Sequence, residues 1–139
     1  SLNPNWSYDI NKEIWRKLMI NVAINPICAI AGVRNGALIE APELWRQSLE
    51  AMREAESVAL ASGVDLGGTN NEEYLRKVVV ATSDNRVSML QDLMAGRRTE
   101  IDVLCGAVVS KGKELGVPTP RNEILLALVR GIEMSQHHD

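Results

Sequence analysis

Three polar side chains recur at every fourth position of an otherwise apolar segment near the start of the chain. The segment reads Lys17-Leu-Met-Ile-Asn21-Val-Ala-Ile-Asn25, and Pro26 follows it. On an α-helix, residues four apart lie on the same side, so these side chains would form a polar stripe about 12 Å long. Ammonium and amide groups are costly to bury unless they are hydrogen-bonded. The stripe therefore predicts either a buried hydrogen-bond network or a site that binds a ligand.

Each member of this stripe has a structural and a chemical interpretation. Lys17 follows Trp15-Arg16 and could be the last solvated residue before the buried run. Alternatively, it could donate a proton, or stabilise an oxyanion, at the wall of a pocket. Asn21 and Asn25 are unfavourable in a helix interior. They would hydrogen-bond to neighbouring helices or to backbone freed by Pro26, or they would orient the oxygens of a ligand.

Other segments carry weaker chemical signals. Ser88-Met-Leu-Gln91 has the pattern of a capping box, and a helix N-terminus with a hydroxyl can also hold a small carboxylate. Thr99-Glu100-Ile-Asp is an acidic variant of the box and would place Glu100 in a first helical turn, where the helix dipole favours it. Asn35 precedes Gly36 and is most simply a turn residue that tolerates left-handed geometry.

Composition narrows the class of protein. A length of 139 residues suits one domain, and the absence of Phe indicates an aliphatic core. The net charge of −3 and dispersed basic residues argue against nucleic-acid binding or a polybasic membrane surface. Cys28 and Cys105 lie in apolar surroundings, as reduced core thiols of a cytoplasmic protein do. His137 and His138 are the only histidines, so neither a catalytic histidine nor a histidine-rich metal site is expected.

The chain also lacks the marks of targeting and nucleotide binding. The apolar stretch from Leu18 to Val33 contains two Asn and one Pro and is too short to span a bilayer. We expect no signal peptide. No glycine-rich nucleotide fingerprint occurs in the sequence. Any site on this chain must therefore be formed without a nucleotide-binding motif in the chain itself.

Apolar periodicity predicts that nearly every segment is helical. After an irregular lead-in over residues 1–8, Asp9 would cap a first helix that runs to about Asn25. Pro26 would kink this helix or start a new turn, and the apolar pattern then continues to Ala31. In a further helix Tyr74, Leu75, Val78 and Val79 would face inward. The sequence thus predicts a multi-helix, all-α domain. The helices expected after the first cover residues 42–62, 72–83, 88–96, 99–115 and 120–135.

These motifs together resemble one known family. The stripe with Pro26 and Asn35-Gly36 closely resembles the opening of the C-terminal domain of the ketopantoate reductases (2-dehydropantoate 2-reductases). The likeness covers roughly residues 10–133 and keeps its order and spacing throughout. It continues through three further segments, Ser88-Met-Leu-Gln-Asp92, Arg98-Thr-Glu-Ile-Asp102 with Gly106, and Gly116-Val-Pro-Thr-Pro-Arg-Asn122.

The resemblance implies a fold and a reaction. Family members join an N-terminal Rossmann domain, which binds NADPH, to a helical domain of the 6-phosphogluconate dehydrogenase-like type, with the active site in the cleft between them. They reduce the 2-oxo acid ketopantoate to pantoate, on the route to pantothenate and coenzyme A. Residues 1–139 would then form the C-terminal substrate-binding and catalytic domain.

The resemblance also implies roles for single residues. Lys17 matches the general acid that protonates the ketone oxygen, and Glu100 matches the acidic residue that supports this lysine and the bound ligands. Asn21 and Asn25 match substrate-binding residues, as does Ser88, and Asn85 lies where the family has a further polar ligand contact. Asn35 lies at a motif position, without an assigned role. No metal is implied.

The missing nucleotide-binding domain sets limits on these expectations. Hydride donor and acceptor must lie within about 3–3.5 Å, which half a cleft cannot arrange, so the chain alone would be inactive. Its exposed cleft surface would be covered by self-association, as in a homodimer. Two rivals remain: a related 2-oxo acid or opine-type dehydrogenase domain, and a non-catalytic helical interaction or oligomerisation domain whose polar stripe is closed on itself.

Overall fold

The computed structural model describes the backbone of residues 4–136 and the side chains of residues 11–136. All regular structure in this part of the chain is helical, which confirms the all-α prediction. His137 and His138 lie outside the described residues. The elements are α1 (Pro4–Ala31), α2 (Ala37–Glu40), α3 (Pro42–Ala61), α4 (Asn71–Ala81), α5 (Ser88–Met94), a 3-10 helix (Ile101–Val103), α6 (Cys105–Leu115) and α7 (Pro120–Gln136).

Helix α1 is the centre of the domain and packs against α3, α5 and α7. It runs uninterrupted through Pro26 to Ala31. The helix also begins earlier than predicted, because residues 4–8 are helical and Asp9 lies within α1 rather than at its N-cap. The Ser48 hydroxyl on α3 donates a 2.6 Å hydrogen bond to the Ala23 carbonyl oxygen, which ties the two longest helices together.

The ends of several helices follow from proline and glycine. Pro42 occupies the first turn of α3, where its missing N–H has no partner to lose. Gly63 follows the end of this helix with a φ of 87°, and the N–H of Val64 returns to the Ala59 carbonyl. Pro120 begins α7. The predicted bounds of α3 and α7 are therefore confirmed to within one residue.

Two predicted capping boxes are wrong. Val87, in an extended conformation, is the N-cap of α5, so Ser88 is the first helical residue and its hydroxyl does not cap the helix. The helix predicted over residues 99–115 is two elements, because Leu104 has a non-helical backbone (φ −102°, ψ −96°) between the 3-10 helix and α6. Glu100 consequently lies at the cap of a 3-10 helix rather than in the first turn of a long helix.

The core is aliphatic, as predicted, and both cysteines lie within it as free thiols. Burial raises the pKa of the Cys28 thiol to about 12. Burial, together with the negative charge of Glu54, raises the pKa of Cys105 to about 12. Both thiols are therefore protonated at neutral pH. The largest aliphatic side chains that are fully enclosed are Met19, Leu38, Met52, Leu75, Ile101, Val22, Val58, Val79, Val108 and Val129.

The apolar segment of α1 is longer than the sequence indicated. Asn11–Ala31, 21 residues, is long and apolar enough to cross a membrane by length and composition. A core helix of a globular domain passes the same test, and this helix packs against three others.

Candidate active-site cleft

An open cleft of 440 Å³ lies between α1 and α4. Lys17 and Asn21, the first two members of the predicted stripe, both line it. Lys17 is exposed and Asn21 is half-buried. The cleft therefore presents an ammonium group and a carboxamide together on an accessible concave surface. The complete lining is Glu13, Ile14, Arg16, Lys17, Ile20 and Asn21 from α1, with Tyr74 and Val78 from α4.

The third member of the stripe, Asn25, does not line this cleft. Each step of four residues turns about 40° around a helix, so Asn25 is about 80° from Lys17. Asn25 is half-buried, like Asn21. Among the described residues, neither amide side chain forms a hydrogen bond within the domain. The stripe is thus not a closed internal network in the described part of the chain, and its amides are available to a ligand.

Arg16 and Tyr74 close one side of the cleft, and the sequence did not single out either for this role. The Arg16 guanidinium carbon lies 4.8 Å from the centre of the Tyr74 ring. The Tyr74 ring thus forms a cation–π contact at the cleft. Tyr74 is exposed, so the prediction that it faces inward is wrong. Arg16 Nε is buried and has no hydrogen-bond partner among the described residues. With Lys17, Arg16 gives the cleft two cations against the single carboxylate of Glu13.

The segment that contains Asn85 is fastened to the turn after α1. The Asn35 N–H donates to the Asn85 carbonyl oxygen at 3.0 Å, and the Gly36 N–H donates to that of Ser83, also at 3.0 Å. Gly36 is needed for this close approach, since a Cβ there would lie 3.1 Å from Ser83 Cβ. Helix α5, which begins at Ser88, then packs against α1. The side chains of Asn85 and Ser88 are exposed, and neither lines the cleft.

Asn35 is a buried turn residue with a structural role. Its amide nitrogen donates to Thr82 Oγ1 at 3.0 Å, while Oδ1 is buried without a partner among the described residues. The predicted turn is confirmed, and Asn35 forms it with a negative φ, like every other described non-glycine residue. Asn35 therefore anchors the Asn85 segment through its backbone and side chain together.

Glu100 lies exposed at the start of the 3-10 helix and does not line the cleft. Its surroundings are fixed by ties to α7. The Glu133 carboxylate accepts hydrogen bonds from the Thr99 N–H (2.6 Å) and hydroxyl (2.8 Å). Asp102 accepts a 2.8 Å bond from Arg130. The structure thus brings Lys17 and Asn21 into one cleft. The roles of all the predicted site residues, including these two, stay predictions.

No cluster of His, Cys, Asp and Glu within the described residues could hold a metal ion. The chemistry that the cleft itself offers is proton donation and hydrogen bonding. An ammonium group can donate to a developing alkoxide, and an amide can orient a neighbouring oxygen. The cleft can therefore offer hydrogen-bond donors to the oxygens of a small molecule.

Comparison with known proteins identifies the family. Residues 9–133 match the family described as "Ketopantoate reductase PanE/ApbA C terminal". The chain belongs to this family, and it is a C-terminal helical domain of that type. The resemblance read from the sequence is therefore confirmed.

Curated relatives extend well beyond this chain. A 2-dehydropantoate 2-reductase from Archaeoglobus fulgidus is 42% identical over 125 residues, which are 90% of this chain and 42% of the relative. One from Vibrio cholerae is 37% identical over 130 residues, 94% of this chain and 44% of the relative. The chain thus spans less than half the length of the relatives it matches.

Two solved structures with different named activities contain a domain of the same fold as this chain. A PanE/ApbA family ketopantoate reductase from Ralstonia eutropha JMP134 superposes with a TM-score of 0.84 at 37% identity, covering 89% of this chain and 41% of that one. D-mandelate dehydrogenase, solved with NADH and anilino(oxo)acetate, gives a TM-score of 0.85 at 29% identity, covering 92% of this chain and 54% of that one.

Proposed function

We propose that residues 1–139 are the substrate-binding and catalytic domain of an NADPH-dependent 2-dehydropantoate 2-reductase. It would reduce ketopantoate to pantoate in the cytoplasm, on the route to pantothenate and coenzyme A. The observation that carries this proposal is the open cleft in which Lys17 and Asn21 lie side by side, in a chain of the ketopantoate reductase family. The chain alone would be inactive, because hydride transfer requires a nucleotide-binding domain ahead of it.

The residues of the chain would act on the proton and on the orientation of the substrate. NADPH, bound mainly by the preceding Rossmann domain, would supply the hydride. Lys17 Nζ donates a proton to the ketone oxygen as charge develops on it. Asn21 and Asn25 orient the substrate oxygens, and Ser88 anchors the carboxylate with Asn85 as a further polar contact. Glu100 supports Lys17.

The free amides of the stripe support the substrate role of Asn21 and Asn25. Both residues are half-buried, and the amide atoms of neither are among the fully buried polar atoms without a partner, so both amides stay accessible to the oxygens of a ligand. Exposure of Lys17 at the cleft mouth likewise leaves its ammonium group accessible to a small acid. In the described part of the chain no ion pair joins Lys17 to a carboxylate.

A second candidate is a dehydrogenase for another 2-oxo acid. The likeness to D-mandelate dehydrogenase favours it, because that structure superposes as well as the ketopantoate reductase does. The two candidates differ in substrate and in nucleotide. The assay uses the longer protein, in which a nucleotide-binding domain precedes residues 1–139. Its steady-state rates with ketopantoate and with phenylglyoxylate, each measured with NADPH and with NADH, distinguish the two candidates. A higher kcat/KM for phenylglyoxylate would overturn the first proposal in favour of the second.

The role of Lys17 is tested in the longer protein by Lys17→Ala. We expect turnover to fall by about 10²–10⁴, as for loss of a general acid, with NADPH binding retained. Lys113→Ala is the matched control, since Lys113 is exposed on α6 and does not line the cleft. Near-normal turnover of Lys17→Ala would refute the assignment.

Glu100→Gln tests whether that carboxylate supports the site. We expect weaker substrate binding and a changed pH dependence of kcat/KM, because the substitution removes a charge and keeps the size of the side chain. Asp102→Asn is the control, since Asp102 is two residues away and paired with Arg130. An unchanged pH–rate profile for Glu100→Gln would show that Glu100 is structural.

A further inference from the structure

Arg16 carries a buried donor that no acceptor in the described part of the chain satisfies. Its Nε atom is buried and has no hydrogen-bond partner among the described residues. A guanidinium has five N–H donors, and a buried donor without an acceptor requires an explanation in a folded protein. The arginine side chains that do donate hydrogen bonds in this part of the chain are those of Arg34, Arg46, Arg97, Arg121 and Arg130.

Arg121 shows how a similarly placed arginine is compensated. Arg16 and Arg121 are half-buried, whereas the other described arginines are exposed. Arg121 Nη2 lies 2.7 Å from Glu50 Oε2. No ion pair in the described part of the chain includes Arg16. Because a charge withdrawn from water is costly without an opposite charge beside it, the structure leaves Arg16 in need of an anion.

Tyr74 holds the Arg16 guanidinium but does not use its donors. The guanidinium carbon lies 4.8 Å from the centre of the Tyr74 ring, so the ring face attracts the cation and the in-plane N–H groups remain for an acceptor. Arg76 forms the same type of contact with Trp45 at 4.6 Å. Arg76 is exposed, however, so water can satisfy its donors. The cation–π contact alone therefore does not account for the buried donor of Arg16.

The end of the Arg16 guanidinium can be reached from the cleft. Arg16 lines the cleft with Lys17, and its Nη atoms are not among the fully buried atoms without a partner. Glu13, the single carboxylate of the lining, is exposed and forms no ion pair with either cation. Two cations against one exposed carboxylate give the cleft a positive potential, which favours an anionic ligand.

We propose that Arg16, held in place by Tyr74, binds an oxyanion of the ligand in this cleft. The planar fork of an arginine matches two oxygens of a carboxylate or of a phosphate. The carboxylate would belong to the 2-oxo acid and the phosphate to the nucleotide, and this choice of sources rests on the proposed function. A carboxylate at Arg16 would place the acid there rather than at Ser88, which does not line the cleft.

Nuclear magnetic resonance of the 139-residue chain tests the site directly. A buried Nε–H exchanges slowly with water, so Arg16 should give a side-chain signal that is identified by its loss in Arg16→Gln. Ketopantoate and inorganic pyrophosphate are the probes for a carboxylate and a phosphate. We expect the signal to shift and saturate, with the tighter probe assigning the source. Affinity, followed by the backbone signals of α1, should fall at least about tenfold in Arg16→Gln.

Arg76→Gln is the matched control, because Arg76 has the same type of cation–π contact but does not line the cleft. It should change the affinity less than about twofold. Two outcomes would overturn the proposal. One is an Arg16 signal that neither probe shifts at about 50 mM, a concentration that fills even a millimolar site. The other is an equal loss of affinity in Arg76→Gln and Arg16→Gln, which would show attraction to the overall charge.

Substitutions of Tyr74 test the site with Arg16 left in place. Tyr74→Phe keeps the ring and should bind the probe within about twofold of the unchanged chain. Tyr74→Leu removes the ring and should bind about threefold to tenfold more weakly. Equal affinities in these two variants would overturn the role of Tyr74. Circular dichroism verifies that each variant is folded.

Steady-state kinetics of the longer protein separate this proposal from the proposed function. Arg16→Gln should raise KM by about 10–100-fold, for ketopantoate if Arg16 binds the carboxylate and for NADPH if it binds a phosphate. The kcat value should change less than about threefold, because a binding contact is lost and not the proton donor. Unchanged KM values for both would overturn the Arg16 site alone. An inactive longer protein whose 139-residue domain still binds a probe at Arg16 would overturn the proposed function alone.

Discussion

Glu54 on α3 holds the N-terminus of α7, and its removal should destabilise the domain. Its carboxylate accepts hydrogen bonds from the backbone N–H groups of Arg121 (2.9 Å) and Asn122 (3.0 Å). It also accepts one from the Asn122 side-chain amide at 2.9 Å. A helix N-terminus favours a carboxylate, because its first N–H groups lack helical partners and the dipole is positive there. Glu54 therefore caps α7 from another helix.

The magnitude follows from these three contacts. A hydrogen bond to a charged group contributes about 1.5–3 kcal/mol, and the dipole adds about 0.3–1 kcal/mol. Arg121 is half-buried, so water can replace Glu54 at its backbone N–H, and the Asn122 side-chain amide keeps a second bond to the Ala51 carbonyl. We therefore expect Glu54→Ala to lower the free energy of unfolding by about 3 kcal/mol. Glu54→Gln should lose about half of this, because its amide keeps one acceptor oxygen.

Urea unfolding followed by circular dichroism measures the effect, with Glu50→Ala as control. Glu50 lies one turn earlier on α3 and pairs with the side chains of Arg46 and Arg121 rather than with backbone donors. A surface ion pair contributes about 0–1 kcal/mol, so the control should lose less than about 1 kcal/mol. Equal losses in Glu54→Ala and Glu50→Ala would refute the capping argument.

Two further outcomes follow from the core and from α6. The pKa values of Cys28 and Cys105 are about 12 in the folded state and 9.0 ordinarily. Between pH 9 and 12 the unfolded chain loses the thiol protons before the folded chain does. The contribution of the thiols to the free energy of unfolding is therefore complete below pH 9 and is lost between pH 9 and 12. From pH 8 to 10 the loss should be about 1–2 kcal/mol for each thiol, and the double variant Cys28→Ala/Cys105→Ala should lack it in urea titrations at both pH values. Gly112→Ala should destabilise by about 1–3 kcal/mol, since the added Cβ would lie 2.8 Å from Thr119 Cγ2 and from the Val117 carbonyl oxygen. Gly131→Ala meets nothing within 4 Å and should stabilise by about 0.5–1 kcal/mol, so equal thermal shifts in these two variants would contradict the steric explanation.

The sequence predicted the helices best where local chemistry determines their ends. Pro42, Gly63 and Pro120 act through their own backbone geometry, so the bounds of α3 and α7 could be read directly. The segment over residues 99–115 could not. Its break at Leu104 accompanies ties to α7 through Glu133 and Arg130, about 30 residues away in the sequence. Contacts at that separation leave no local signal.

The candidate site was predictable to the extent that it lies on one helix. The four-residue spacing alone placed Lys17 and Asn21 together. Each four-residue step rotates the side chain by about 40° around the helix axis, which explains why Asn25 does not line the cleft. Arg16 and Tyr74 were missed, because their contact joins α1 to α4 and periodicity assigned Tyr74 to the core. The sequence also could not show that Glu100 and Ser88 lie outside this cleft, since the position of their elements relative to α1 and α4 depends on tertiary packing.

The two walls of the cleft differ in how they are held. The α1 wall is part of the central packing, whereas α4 has its main helix–helix contact with the short α2. Hydrogen bonds fasten the two ends of α4, from Asn71 to Glu56 and from Asn35 to Thr82. Such a helix can open as a local unit while the central helices stay folded. The backbone amide protons of α4 would then exchange with solvent faster than those of α1. The width of the cleft would change as α4, which carries Tyr74, moves relative to α1.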